Sequence, residues 1–212
     1  MMPGPGRKIL LSSIIAAFCL VLVFFLFKGP GDPGVTTGDI IFQDLPSAQS
    51  EAVRLATGSQ YSHVGMIVEK EGKLLVLEAI GPVLYTPMEE WIERGGGHFA
   101  VKRYRLKGNP LDAGKQEQLV VEGEKLLGIP YDPYFLWSDE RIYCSELVYK
   151  TYKRALGIEL SPLERMSSFD LSHPAVINVM RERFGDDPPF DEPVVPPSAL
   201  FDSNMLETIL SR

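Results

Sequence analysis

Ile9 to Phe27 is a run of 19 residues without a single charged side chain. A helix that is apolar on every side is not a surface helix, and about 20 such residues is the length that crosses the hydrocarbon core of a bilayer. The run therefore divides the chain, and whatever folds in water has to be built from the residues after Phe27. Arg7 and Lys8 precede the run and Lys28 closes it; the next basic residue is Arg54, with Asp32, Asp39, Asp44 and Glu51 in between. This asymmetry predicts an N-terminus in the cytoplasm and the rest of the chain outside it. The run is longer than the apolar region of a cleaved secretory signal, about 7–15 residues, and Phe24 to Phe27 offers no small residue for cleavage. An uncleaved membrane anchor over residues 1–28 is the expectation, with a cleaved signal peptide as the alternative. Phe18 before Cys19 argues against a lipidated cysteine. Gly29 to Thr37 holds two prolines and three glycines and reads as a linker, leaving 38–212 as the folded domain.

That domain is acidic. Three of the 21 basic residues lie at or before Lys28, which leaves 18 against all 28 acids, a formal charge of −10. Such a balance argues against a nucleic-acid backbone as partner. Cys19 lies in the apolar run, so Cys144 is expected to be a free thiol.

Gly38 to Gln43 reads as a short buried strand. Pro46 to Thr57 reads as a helix stopped by Gly58. A strand opening at His63 and another over Lys73 to Ala79 flank Glu71-Gly72, the signature of a β-hairpin. A turn there pairs residues whose numbers sum to about 142, which puts Glu78 near Val64, within a register slip of His63. Pro82 and Thr86-Pro87 punctuate a connection. Met88 to Arg94 reads as a short helix. Phe99 to Leu106 reads as a strand with an exposed basic face. Asp112 to Leu127 is amphipathic, with Leu119, Val120, Leu126 and Leu127 inward and Gly128 as its stop. Cys144 to Leu156 is the next helix, ended by Gly157, with Leu147, Val148, Thr151, Tyr152 and Ala155 as its apolar stripe. A short helix after Pro174 is expected. Asp187 to Pro197, with five prolines, should be irregular, and Leu200 to Leu210 should dock as a last turn or strand. Strands with helices inserted, without regular βαβ alternation, predict an α+β fold with an antiparallel sheet packed against helices.

Chemistry centres on Cys144. A cysteine at a helix N-terminus faces the positive end of the macrodipole, which favours thiolate over thiol. Alternation puts His63, Gly65 and Ile67 on one strand face, so His63 can serve as base or sit as a satisfied core histidine. Glu78, flanked by Leu77 and Ala79, needs a partner if buried. His98 and His173 read as solvated turn residues. There is no CxxC, HxxxH or HExxH spacing, no P-loop and no GxSxG; neither metal nor cofactor is expected.

Gly38-Asp39-Ile40-Ile41-Phe42, Tyr61-Ser62-His63-Val64-Gly65, Leu77-Glu78-Ala79, Pro130-Tyr131-Asp132 and Tyr143-Cys144-Ser145-Glu146-Leu147-Val148 occur in that order. Together they resemble the circularly permuted NlpC/P60 cysteine hydrolases, the YiiX/YebB-like permuted papain-like amidases, over roughly Thr37 to Leu210. In that family the histidine strand precedes the cysteine helix, as His63 precedes Cys144 here. The resemblance implies Cys144 as nucleophile, His63 as base and Glu78 as the third polar residue. Oxyanion or substrate-binding donors are expected around Ser145 and at Tyr131. The implied activity is hydrolysis of an amide in a peptide or peptidoglycan-type substrate. A lipid amide or ester substrate, or acyl transfer, is the runner-up. A catalytically silent binding module, or a tethered structural protein recruiting partners through 187–197, are the non-enzymatic alternatives.

Overall fold

The computed structural model describes residues 34–106 and 109–212; the expected anchor or signal segment lies outside them. Among the described residues no helix is long and apolar enough to cross a membrane. Thr36–Arg212 form one compact unit. Thr36 and Thr37, expected to end a linker, are tied into it: Thr36 N–H donates to Asp39 and Thr37 Oγ1 accepts from Glu69 N–H.

The elements in chain order are β1 (Ile40–Gln43), α1 (Ala48–Thr57), β2 (His63–Lys70), β3 (Lys73–Ala79), β4 (Val83–Pro87), α2 (Met88–Arg94), β5 (Phe99–Leu106), β6 (Asn109–Pro110), α3 (Ala113–Glu124), α4 (Cys144–Leu156), β7 (Glu164–Arg165), α5 (Pro174–Phe184), β8 (Pro193–Val194), α6 (Pro197–Phe201) and β9 (Leu206–Ser211). The main sheet runs β4-β3-β2-β1-β5-β6, with β9 also paired to β5, and its pairings are antiparallel. The α+β expectation holds.

Four sequence readings need correction. The connection at 83–87 is the strand β4, paired to β3 from Val83 to Pro87. It lies at the sheet edge, where proline's missing donor costs no ladder bond, so Pro87 ends the strand without forbidding it. The basic face of β5 is not exposed. Lys102 and Arg103 are covered: Lys102 donates to the Phe201 carbonyl and Arg103 pairs with buried Asp39 at 2.6 Å. Leu127, expected inward, is exposed, because α3 ends at Glu124 and the chain turns out of helical phase.

The hairpin register is the fourth correction, and it decides the site. β2 and β3 pair Met66 with Leu77 and Ile67 with Val76. Continued along the ladder, Glu78 stands opposite Gly65, one residue from the expected Val64. A one-residue slip moves a side chain to the other face of a sheet. The observed register puts Glu78 on the His63 face as its diagonal neighbour. Gly65 keeps that diagonal open, since a Cβ there would meet Val76 Cγ1 at 2.4 Å and the Leu77 carbonyl at 2.9 Å.

The opposite face carries the core. Ile40, Phe42, Val64, Met66, Val68, Leu77 and Ala79 cluster with Leu147, Val148 and Tyr152 of α4. Each Val, Leu, Ile, Phe or Met among them contributes about 1.5–3 kcal/mol when fully buried. Gly157 closes α4 in the left-handed conformation, at φ 68.

Candidate active site

Cys144 is the first residue of α4 and His63 the first of β2, so each stands at the end of its element. The start of α4 is fixed by a capping box in which Glu146 accepts the Tyr143 N–H. Tyr143 in turn accepts the Val195 N–H at 3.1 Å through its hydroxyl. Tyr131 is brought alongside by a short parallel bridge to Ile142, with Asp132 N–H bonded to the Ile142 carbonyl and Ile142 N–H to that of Pro130.

His63 Nε2 lies 2.6 Å from Glu78 Oε2. An ionised carboxylate only accepts, so Nε2 carries the hydrogen and the other ring nitrogen is the one left for Cys144, which acts on the His63 imidazole electrostatically. All three side chains are buried. Burial pushes the His63 imidazole down, but the interactions with Cys144 and Glu78 and their negative charge outweigh it and lift it to about 9. Glu78 shows the mirror image. Burial raises it, while His63, Arg94 and Thr86 hold it at about 2. Its two oxygens take four side-chain donors: His63, Thr86, Trp91 at 3.0 Å and Arg94 at 2.6 Å. Trp91 also stacks on the His63 ring, with centroids 5.8 Å apart. A thiol, an imidazole and a carboxylate thus stand in one buried, interacting series, the arrangement that can draw a proton from sulfur and keep the resulting imidazolium in place.

Cys144 opens onto a cleft enclosing about 810 Å³, its mouth included. The walls come from α1, α5, the 131–135 loop and the segment 194–197, and they are mostly apolar, with Val53, Met166, Phe169, Val176 and Met180 among them. Tyr131 and Ser145 line it as well, and the Ser145 hydroxyl is buried without a partner among the described residues. The structure therefore brings all five expected site residues together. His98 is exposed, and His173 caps α5 by accepting the Ala175 N–H.

Sequence reasoning missed the residues that surround these five. Trp91 and Arg94 sit in a helix recognised only as short. Thr86 sat in a segment read as a connection. Gln49 and Arg183, which meet in the cleft, are 134 residues apart and share no motif.

Comparison with known proteins supplies the relatives. Residues 34–210 match the model of the permuted papain-like amidase enzymes, YaeF/YiiX, C92 family. A protein of Escherichia coli (strain K12) named YiiX, described as uncharacterized, is 45% identical over 174 residues, covering 82% of this chain and 85% of that protein. A crystal structure described as metalloprotein yiiX from Escherichia coli O157:H7 superposes with a TM-score of 0.80 at 45% identity, covering 84% of this chain and 97% of that one. The described residues around Cys144, His63 and Glu78 do not fit a metal centre. Both Glu78 oxygens are saturated by donors beside the Arg94 cation, and among the described residues no three His, Cys, Asp or Glu side chains converge as ligands. Match and fold agree on one assignment: the chain belongs to the permuted papain-like amidase family of the YaeF/YiiX type.

Proposed function

We propose that the protein is a cysteine hydrolase that cleaves an amide bond through Cys144, His63 and Glu78. The observation that carries this reading is the buried series in which His63 is hydrogen-bonded to Glu78 and interacts with Cys144. Cys144 Sγ, its proton passed to His63, attacks the carbonyl carbon. The developing oxyanion accepts from N–H groups at the start of α4, where helix donors have no intrahelical partner, and from the Tyr131 hydroxyl. The imidazolium gives its proton to the leaving nitrogen, the C–N bond breaks, and an acyl-thioester remains. Water, deprotonated by His63, attacks the thioester and releases the acid and the free thiol. Glu78 stays ionised and holds the imidazole orientation.

Peptide and peptidoglycan-type amides satisfy this chemistry. The apolar walls of the cleft favour a second reading, an amide or ester of a long acyl chain, because hydrocarbon against Val53, Phe169 and Met180 leaves water without exposing an unpaired polar group. The charge pattern around Ile9–Phe27 supports a domain tethered at the membrane and working outside the cytoplasm. The test is incubation of the full chain with wall fragments, acyl-peptides and lipid amides, with Cys144→Ala beside it. The reading requires release of a new amine or alcohol by the wild type only. A product formed equally by both proteins sinks it, and so does a Cys144 that no acyl probe labels.

A further inference from the structure

The Gln49 side chain is gripped from both ends. Arg183 Nη2 donates to Gln49 Oε1 at 2.5 Å, and Gln49 Nε2 donates to the Tyr131 hydroxyl at 2.6 Å. A guanidinium offers no acceptor, so the oxygen of the amide must face it. That leaves the amide a single orientation, with its nitrogen toward Tyr131. A phenol has one hydrogen. With a Gln49 N–H arriving at its oxygen, the Tyr131 hydrogen cannot point back at Gln49 and is free to donate elsewhere. Tyr131 and Cys144 line the same cleft. Burial first, and then the charge at Cys144, push the Tyr131 phenol up, so it keeps its proton throughout the neutral range. Arg183 is itself steadied over the Phe135 ring, 5.2 Å from its centroid.

We propose that Arg183 and Gln49 are positioning residues that make the Tyr131 hydroxyl a one-way hydrogen-bond donor to the oxyanion formed when Cys144 attacks. This rests on the cysteine-hydrolase reading above. No proton changes hands at Tyr131, which stabilises the negative oxygen by donating while it develops. The directional chain begins at a residue that can only donate, runs through an amide that accepts at one end and donates at the other, and ends at a hydroxyl with its hydrogen pointed into the cleft.

Gln49→Glu tests it. The substitution is isosteric and keeps an acceptor for Arg183, but an ionised carboxylate only accepts, so Tyr131 turns its hydrogen toward residue 49 and away from the cleft. The probe is p-nitrophenyl butyrate, with the full chain in detergent and the acylation rate read from the nitrophenolate burst. Gln49→Glu and Tyr131→Phe are each expected to lower that rate about 10²-fold, the scale of losing one oxyanion donor, with KM unchanged. The melting temperature of Gln49→Glu should not fall, since it gains an ion pair with Arg183. The double variant should be no slower than Tyr131→Phe alone. A Gln49→Glu protein within about twofold of wild type overturns this inference alone, and so does a further loss when it is added to Tyr131→Phe. A wild type that gives no burst and no acylated Cys144 overturns the hydrolase reading and this inference with it.

Discussion

Glu78→Gln probes the centre of the hairpin. The carboxylate is fully buried and held at about 2, against 4.5 for an ordinary glutamate. A depression of roughly 2.5 pH units, at 1.36 kcal/mol each, is about 3 kcal/mol of stability supplied by the ionised form. Because the folded value lies below the unfolded one, this contribution is complete above pH 4.5 and disappears as the pH falls toward 2. Glutamine keeps the shape but replaces an acceptor by an NH2 group amid the donors from His63, Trp91 and Arg94, so two donors face each other in a buried site. At pH 7 the variant is expected to be less stable by about 3 kcal/mol. Urea unfolding, followed through the fluorescence of Trp91 and Trp137, measures it. Between pH 5 and pH 2 the wild type should lose about 3 kcal/mol more than the variant. Activity should fall by about 10²- to 10⁴-fold, and the alkaline limb should move below the wild-type value of about 9, since His63 has lost an acceptor that held its proton. Parallel stability curves for the two proteins across pH 5 to 2 would refute the idea that a buried negative charge organises this site.

Cys144→Ala should abolish turnover and acyl-probe labelling while the circular dichroism and melting temperature stay near wild type, as one small buried side chain replaces another. The wild-type rate should decline as the pH rises through about 9: the His63 proton is bound below that value and lost above it, and with it goes the acid for the leaving nitrogen. A rate–pH profile still rising at pH 10 would contradict the assignment. Gly65→Ala should destabilise the fold by about 1–3 kcal/mol, because its Cβ would lie 2.4 Å from Val76 Cγ1. It should also lower the rate more than KM changes, by prising β2 from β3 where His63 meets Glu78; thermal melts and steady-state kinetics report the two effects.

What was legible in the sequence was what the chain decides locally. The Glu71-Gly72 turn, with φ of 52 and 73, and the Gly157 stop each depend on backbone conformations that few residues adopt. The order of His63 before Cys144, and the position of Cys144 at a helix start, were equally plain. The facing of Glu78 was not, because the pattern fixes the pairing only to within a residue and the two answers point to opposite sides of the sheet. The covering of Lys102 and Arg103 depends on Phe201 and Asp39, at long sequence distance, and no periodicity announces either. Gln49 and Arg183 look like ordinary polar residues on helix surfaces until α1 and α5 are laid on either side of one cleft.

These differences imply a division of labour in how the site assembles. His63 and Glu78 are 15 residues apart and meet across one hairpin. Cys144 comes from a helix whose stripe of Leu147, Val148 and Tyr152 packs on the far face of the sheet. Tyr131 is tied to the Cys144 helix through Ile142, and its hydroxyl direction waits on Gln49 and Arg183 from two further helices. The His63–Glu78 pair is therefore a local product, whereas Cys144 and Tyr131 are placed by the tertiary structure. A change that loosens α4 or α5 without touching the hairpin should leave the His63–Glu78 pair intact and still silence the enzyme. Distant packing mutations should accordingly be read first in the acylation rate, before they are read in the environment of Trp91.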